Sequence, residues 1–161
     1  MDGGAVLDYD LLSLSYDELY GCEQMCKYYS AVGLVNFYSS DRVLDLGCGT
    51  GLFYDFLLRL GWDGEYVGVD LSAGMLERAK LRGAQHLIQA DGHRLPFRDK
   101  TFTHLFSFTV IHHCSPQTIL QEASRVTVHQ LTISQNSRLG LRLHLKPKMK
   151  VGHDEIVTIQ P

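Results

Sequence analysis

The stretch that most constrains the fold is residues 43–51, which read VLDLGCGTG. The first four residues are typical of a short buried strand, and an apolar run at helical spacing, residues 52–60, follows the last glycine. We therefore predict a strand, a tight turn and the start of a helix. Glycine tolerates positive φ and lets the backbone approach a ligand closely, so this turn is a candidate binding site.

Two further strand ends carry acidic residues. Residues 65–70, EYVGVD, predict a second strand that ends at Asp70, 19 residues after Gly51. In dinucleotide-binding folds an acid at this place accepts hydrogen bonds from the hydroxyls of a ribose laid over the first turn. A third predicted strand, residues 86–90, is followed by Asp91 and Gly92. Helical patterns separate these strands, so the chain predicts an α/β fold with a parallel sheet.

These residues together resemble the motifs of class I S-adenosylmethionine (SAM)-dependent methyltransferases, in the small type 11-like family. The motif residues are Asp45, Gly47, Gly49, Gly51, Asp70, Asp91 and Gly92. The resemblance spans roughly residues 40–125 and implies a minimal class I methyltransferase fold. That fold is a doubly wound, mostly parallel seven-stranded sheet with helices on both faces, in the strand order 3-2-1-4-5-7-6.

The resemblance also implies how SAM, or its product S-adenosylhomocysteine, is held. Asp45 would reach the methionine ammonium group, Asp70 the ribose hydroxyls and Asp91 the adenine amino group. The full set of predicted cofactor-binding residues is Tyr20, Tyr28, Asp45, Gly47, Cys48, Gly49, Gly51, Asp70, Leu71, Asp91, Gly92, Phe108 and Thr109. Structural alternatives stay open: Asp45 as a turn or helix-capping acid, Asp91 as an Asx-turn residue, and the tyrosines as core residues rather than partners of the sulfonium.

His112 and His113 are the candidate catalytic residues. They follow the fourth predicted strand, at the edge where open α/β sheets bind ligands, and a histidine there can orient an acceptor or take its proton. The alternative is a loop histidine that bonds to backbone. No third ligand accompanies the pair, so we predict no metal site.

The chain has 161 residues, enough for one domain, and we expect a helical lid over residues 1–39 and a Rossmann-like core over residues 40–161. Neither a membrane span nor a secretory signal is evident, and the four cysteines form no C-x-x-C pair, so a cytoplasmic location is expected. We predict helices over Leu11–Tyr20 and Cys22–Phe37 with a weak point at Gly21, and a fifth strand over Gln130–Ser134. A helix over Ser137–Leu145 and a terminal hairpin, residues 148–152 and 155–160, would complete the fold.

The principal hypothesis is a SAM-dependent methyltransferase with an unidentified acceptor. Some relatives in the resembled family act with a small activator protein, which pairs with the edge of strand three, and modify tRNA or translation factors. Here that edge is residues 86–90, an apolar strand suited to strand addition by an activator or by a second copy of the chain. The basic segment 138–150 could contact RNA, or be a solvated surface. The alternatives are a small-molecule methyltransferase that acts alone and a SAM-binding interaction protein without catalysis.

Overall fold

The computed structural model describes residues 16–108, 110, 115–136 and 146–161, and the side chains of residues 16, 19 and 20 lie outside that description. Its helices are α1 (Tyr16–Val32), α2 (Leu52–Arg59), α3 (Ala73–Leu81) and α4 (Pro116–Val126). Its strands are β1 (Arg42–Leu46), β2 (Glu65–Asp70), β3 (Leu87–Gln89), β4 (Phe102–Phe108), β5 (Thr127–Asn136), β6 (Met149–Val151) and β7 (Asp154–Ile159).

Within these described ranges the strands form one seven-stranded sheet in the order β3-β2-β1-β4-β5-β7-β6. Strands β1 to β5 run parallel, whereas β7 lies antiparallel to both β5 and β6. The predicted fold class and strand order are therefore confirmed. Because β1, β2 and β4 are parallel neighbours, their carboxyl ends meet at one edge of the sheet, which is where this fold binds ligands.

Two apolar clusters cover the two faces of the sheet. On the first face, aromatic rings of α1, α2 and β4 pack together: Tyr28, Phe53, Phe56, Phe106 and Phe108. On the second face, α4 packs Ile119 and Ala123 against strand residues such as Leu105 and Leu131. The strands are buried on both faces because they lie between these two layers, as expected for parallel strands.

Helix α1 is attached to strand β7 by a buried charge pair. The ammonium group of Lys27 forms an ion pair with the carboxylate of Asp154 on β7, and both side chains are 1% exposed. Lys27 also lies 2.8 Å from Glu23 Oε1, one helical turn earlier. A buried charge needs a partner of opposite sign, so this pair fixes which face of α1 meets the sheet.

Several predicted boundaries were wrong. Helix α1 passes through Gly21 without a break, because residues on both sides of the glycine belong to one helix that packs on α2 and β7. Strand β5 is ten residues long and begins three residues before the predicted Gln130. The terminal hairpin is confirmed as β6 and β7. The predicted helix Ser137–Leu145 lies outside the described residues.

In the described part of the chain, no helix is long and apolar enough to cross a membrane. The described cysteines, Cys22, Cys26 and Cys48, are free thiols. The division into a lid and a core stays a prediction.

Candidate functional site

The glycine turn after β1 has the conformation that its composition predicts. Gly47, Gly49 and Gly51 all have positive φ, at 78°, 54° and 79°. The backbone N–H groups of Gly47 and Cys48 both donate to the carbonyl of Val69 on β2, at 2.7 and 3.0 Å. The turn is therefore held against the neighbouring strand.

The glycines of this turn serve different purposes. A Cβ atom at Gly51 would lie 3.1 Å from Cα of Ala79, so this glycine lets α3 pack closely. A Cβ atom at Gly47 would overlap Val110 Cγ2, which follows β4. A Cβ atom at Gly49 would meet nothing within 4 Å. Packing thus explains two of the glycines, whereas Gly49 borders open space where a ligand would approach the backbone.

A cleft lies over this turn and has a volume of about 300 Å³ when the part open to solvent is included. It is lined by Gln24, Tyr28, Asp45, Gly47, Cys48, Gly49, Thr50, Leu52 and Phe108. The structure thus brings together predicted residues from α1, β1, the turn and the end of β4. Tyr28 is buried, and its ring lies edge-on to that of Phe108 with 4.8 Å between centroids.

Asp45 is the acidic group of the cleft and is 1% exposed. Its Oδ2 accepts a hydrogen bond of 2.7 Å from the hydroxyl of Tyr66. Burial, together with the nearby charge of Asp70, raises the pKa of Asp45 to about 7, while the bond from Tyr66 acts in the opposite direction. The carboxyl group therefore changes charge near neutral pH.

Asp70 ends β2 and is held between the glycine turn and the start of α3. One carboxylate oxygen accepts from the Gly49 N–H at 2.8 Å, and the other accepts from the Ser72 N–H at 2.9 Å. Ser72 is the N-cap of α3, and its side-chain hydroxyl oxygen accepts from the Met75 N–H at 3.1 Å. Leu71 is 69% exposed beside these groups, so its side chain is accessible to a ligand.

Asp91 lies apart from this arrangement. Its Oδ1 accepts from the backbone N–H of His93 at 2.9 Å and lies 2.6 Å from His93 Nδ1. These bonds lower the pKa of the Asp91 carboxyl group. This is the Asx turn that the sequence left as an alternative, so the adenine contact of Asp91 stays a prediction. Gly92 packs closely, since a Cβ there would lie 3.3 Å from Leu46 Cδ1.

Residues 44–130 match the family model described as methyltransferase domain. The match covers more than half of the chain. The chain belongs to this family. SAM is the cofactor that the methyltransferase family and fold imply.

Individual relatives extend this similarity. The methyltransferase domain is 34% identical to an uncharacterised protein of Methanocaldococcus jannaschii, over 73% of this chain and 45% of that protein. It is 34% identical to human probable tRNA methyltransferase 9B, over 53% of this chain and 19% of that protein. Among solved structures, the protein resembles a chain in the complex between the Haloferax volcanii Trm112 methyltransferase activator and a methyltransferase, with 21% sequence identity. That match has a TM-score of 0.72 and covers 79% of this chain and 59% of that chain. The chain thus spans less than half the length of these curated relatives.

Sequence reasoning missed Tyr66, because only the register between β1 and β2 places it on the same face of the sheet as Asp45. It also missed the link from Asp17 to Thr50 and Arg82, because 33 and 65 residues separate these partners and no local pattern connects them. Thr109, His112 and His113 lie outside the described residues, as does the side chain of Tyr20, and the binding roles of the other predicted site residues stay predictions. Among the described residues, no cluster could hold a metal ion.

Proposed function

We propose that this domain is an active SAM-dependent methyltransferase whose cofactor lies over the glycine turn. The observation that carries the proposal is the cleft that joins Asp45 to the open side of Gly49, with Asp70 bonded to that same glycine. Asp45 is buried, and no cation pairs with it among the described residues, so the cleft suits a ligand that brings a positive charge.

SAM carries an activated methyl group on a sulfonium, so the protein has chiefly to bind it, orient it and exclude water. In our proposal Asp45 faces the methionine ammonium group and Asp70 the ribose hydroxyls, while Leu71 packs on the adenine. Gly47 and Cys48 line the cleft beside Gly49, where the backbone is open to the adenosyl group, and the end of β4 borders the methionine end. Tyr20 and Tyr28 are proposed near the sulfonium, where aromatic faces favour a cation.

For the acceptor side we propose His112 or His113 as the residue that orients the acceptor or takes its proton, because both follow β4 at the ligand-binding edge of the sheet. Each single alanine variant should transfer the methyl group more slowly, with SAM affinity within a few-fold of the parent. Equal turnover in both variants would remove these histidines from the proposed mechanism.

The acceptor class follows from one broad measurement. Transfer of tritiated methyl from SAM to total RNA, protein and small-molecule fractions reports activity and substrate class together. We propose RNA as the acceptor, supported by the similarity to a probable tRNA methyltransferase and by the exposed lysines Lys146, Lys148 and Lys150 of the basic segment 138–150. Label in small molecules alone would favour the self-sufficient enzyme. SAM binding without any transfer would favour a non-catalytic interaction protein.

The expected cytoplasmic location of the protein stays a prediction.

We also propose that β3 recruits a small activator protein. Among the described residues β3 pairs with β2 alone, so its outer edge is unpaired there. His86 O accepts from the Gly68 N–H at 2.8 Å, and the Ala90 N–H donates to Asp70 O at 3.1 Å. Bonds in a parallel pair come from alternate residues, so the backbone groups of Leu87 and Gln89 point away from β2. Those groups would pair with an added strand.

Gln89→Pro tests this proposal, because proline removes the Gln89 N–H, which points away from β2 and makes no bond to it. The matched control is Gln89→Ala, which also loses the side-chain bond from Gln89 Nε2 to Leu71 O but keeps the N–H. The probe is the Haloferax volcanii Trm112 activator, co-expressed and followed by size-exclusion chromatography. We expect the alanine variant to co-elute with the activator and the proline variant to fail to do so.

If the chain alone forms a dimer, and the proline variant loses that dimer, the result would favour pairing between two copies of the chain. A fully active monomer indifferent to both changes would refute a partner at this edge.

A further inference from the structure

The contact between Tyr66 and Asp45 joins two neighbouring strands deep in the molecule. Tyr66 stands opposite Val43 in the register of β1 and β2, while Gly68 stands opposite Asp45. The Tyr66 hydroxyl donates a hydrogen bond of 2.7 Å to Asp45 Oδ2, so the side chain links the two strands, while Leu87 and Cys48 fill the space over Gly68. Tyr66 is 4% exposed, and the ring of Tyr54 packs on it with 5.0 Å between centroids.

The surroundings of Asp45 explain why this contact matters. Tyr66 faces it from β2, Cys48 from the glycine turn, and Tyr28 and Gln24 line the same cleft from α1. Asp70 adds a second negative charge. Burial and the charge of Asp45 raise the pKa of the Tyr66 hydroxyl and of the Cys48 thiol well above their usual values, and Asp70 adds to the shift of Cys48, so both groups stay protonated. Asp45 thus receives a hydrogen bond from the Tyr66 hydroxyl but no cation from the described residues.

We propose that Tyr66 is a positioning residue for the methionine end of the cofactor: its hydroxyl fixes Asp45 Oδ2 so that the carboxylate presents its charge to the ammonium group. This inference rests on the proposed function, in which Asp45 faces that group. Tyr66 itself lies behind Asp45 and is absent from the lining of the cleft.

The role has a signature in the pH dependence of binding. Asp45 has a pKa of about 7, so its charged form accumulates as the pH rises through 7. The ligand's ammonium group stands beside a carboxylate and loses its charge only at higher pH, so affinity should rise as the pH passes through 7 and fall at the alkaline end. The hydrogen bond from Tyr66 favours the carboxylate form of Asp45. Removing it should therefore shift only the rising limb of the plot of affinity against pH, which reports the ionisation of Asp45, and should shift it toward higher pH.

The test is the affinity for S-adenosylhomocysteine, measured by calorimetry between pH 6 and pH 9, in the parent and in Tyr66→Phe. If the lost bond raises the pKa of Asp45 by about one unit, the variant should bind about tenfold more weakly at pH 6, about fivefold at pH 7 and less than twofold at pH 9. The matched control variant is Tyr54→Phe, which removes a hydroxyl from the neighbouring ring. The control ligand is 5′-methylthioadenosine, which has no ammonium group and should show the same affinity in all three proteins.

Each result decides the question. A loss of affinity in Tyr66→Phe that is equal at every pH, or that extends to 5′-methylthioadenosine, would make Tyr66 a residue of the fold alone. An unchanged profile together with lost binding in Asp45→Asn would overturn the role of Tyr66 and leave the proposed function intact. Normal binding in Asp45→Asn would overturn both.

A second substitution covers the case in which Tyr66→Phe does not fold. A 3-fluorotyrosine at position 66 keeps the hydroxyl and makes it a stronger donor. The rising limb should then move to lower pH, opposite to the change that Tyr66→Phe would cause. A limb that stays in place would overturn the proposal.

Discussion

The hydroxyl of Thr50, in the glycine turn, donates a hydrogen bond of 2.5 Å to Asp17 Oδ1 at the start of α1. The guanidinium group of Arg82, just after α3, pairs with the other oxygen of Asp17, and Arg82 Nε donates to the carbonyl of Thr50 at 2.9 Å. Three side chains from distant parts of the sequence therefore hold α1 against the turn that forms the floor of the cleft.

We expect Asp17→Ala to weaken S-adenosylhomocysteine binding by about threefold to tenfold, since a hydrogen bond contributes about 1 kcal/mol and this one positions Thr50 in the cleft. Calorimetry measures the affinity, and amide exchange in α1 reports whether the helix loosens. The control is Asp55→Ala, which breaks the exposed pair with Arg59 on α2. Equal affinities in the two variants would show that the attachment of α1 does not support the site.

Gly49 and Gly61 offer a matched pair of substitutions. Both have positive φ, and a Cβ atom at either would meet nothing within 4 Å. Gly49→Val and Gly61→Val should therefore lose a similar free energy of unfolding, about 1–3 kcal/mol from backbone strain. Only Gly49→Val should abolish cofactor binding, because its side chain would occupy ligand space. Normal binding in that variant would move the ligand away from this turn.

Asp45 should reduce the stability of the unliganded protein at alkaline pH. Its folded pKa of about 7 lies above the ordinary value of 3.8, so the folded state holds this proton more tightly, and stability falls as the pH rises from about 4 to above 7. Asp45→Asn keeps an oxygen for the Tyr66 hydroxyl. The variant should be more stable than the parent by roughly 2–4 kcal/mol at pH 8, and by little at pH 4.

Urea unfolding at the two pH values measures this difference. The exposed Asp63→Asn serves as the control and should leave the curve unchanged. A stability gap between Asp45→Asn and the parent that does not depend on pH would contradict the assignment of the buried charge to Asp45.

The buried pair of Lys27 and Asp154 predicts a different pattern. Lys27→Met alone should cost about 3–5 kcal/mol of unfolding free energy, because it leaves Asp154 buried without its partner. The double variant Lys27→Met/Asp154→Leu should recover most of that loss. Glu23→Gln should cost little, since Glu23 is 57% exposed. Chemical unfolding of the four proteins gives the comparison, and a double variant as unstable as the single one would refute it.

The predictability of the fold differs from one element to the next. The strand, turn and helix around Gly47 were predictable because local residue types dictate them. The passage of α1 through Gly21 was not, because a glycine in an exposed helix costs only about 1 kcal/mol and the packing of Tyr28 and Ala31 on the core outweighs it. The length of β5 depends on its pairing with β4 and β7, which no local pattern encodes.

The residues of the candidate site also differ in how far the sequence predicts them. Asp45 and Asp70 follow from their places at strand ends, so resemblance was sufficient to select them. Tyr66 required the register of β1 and β2, and Asp17 required the approach of α1 to the turn. These contacts depend on tertiary structure, and a single sequence carries no separate signal for them.

Gly68 lies between the edge strand β3 and the glycine turn. A Cβ atom there would lie 2.8 Å from Leu87 Cδ2 on the edge strand and 2.9 Å from Cys48 Sγ in the glycine turn. Leu87 and Cys48 therefore close over the same point above Gly68, and because protein interiors compress little, an inward shift of Leu87 would press toward Cys48. A protein docked on the edge of the sheet would therefore have a direct mechanical route, one residue wide, to the floor of the cofactor cleft.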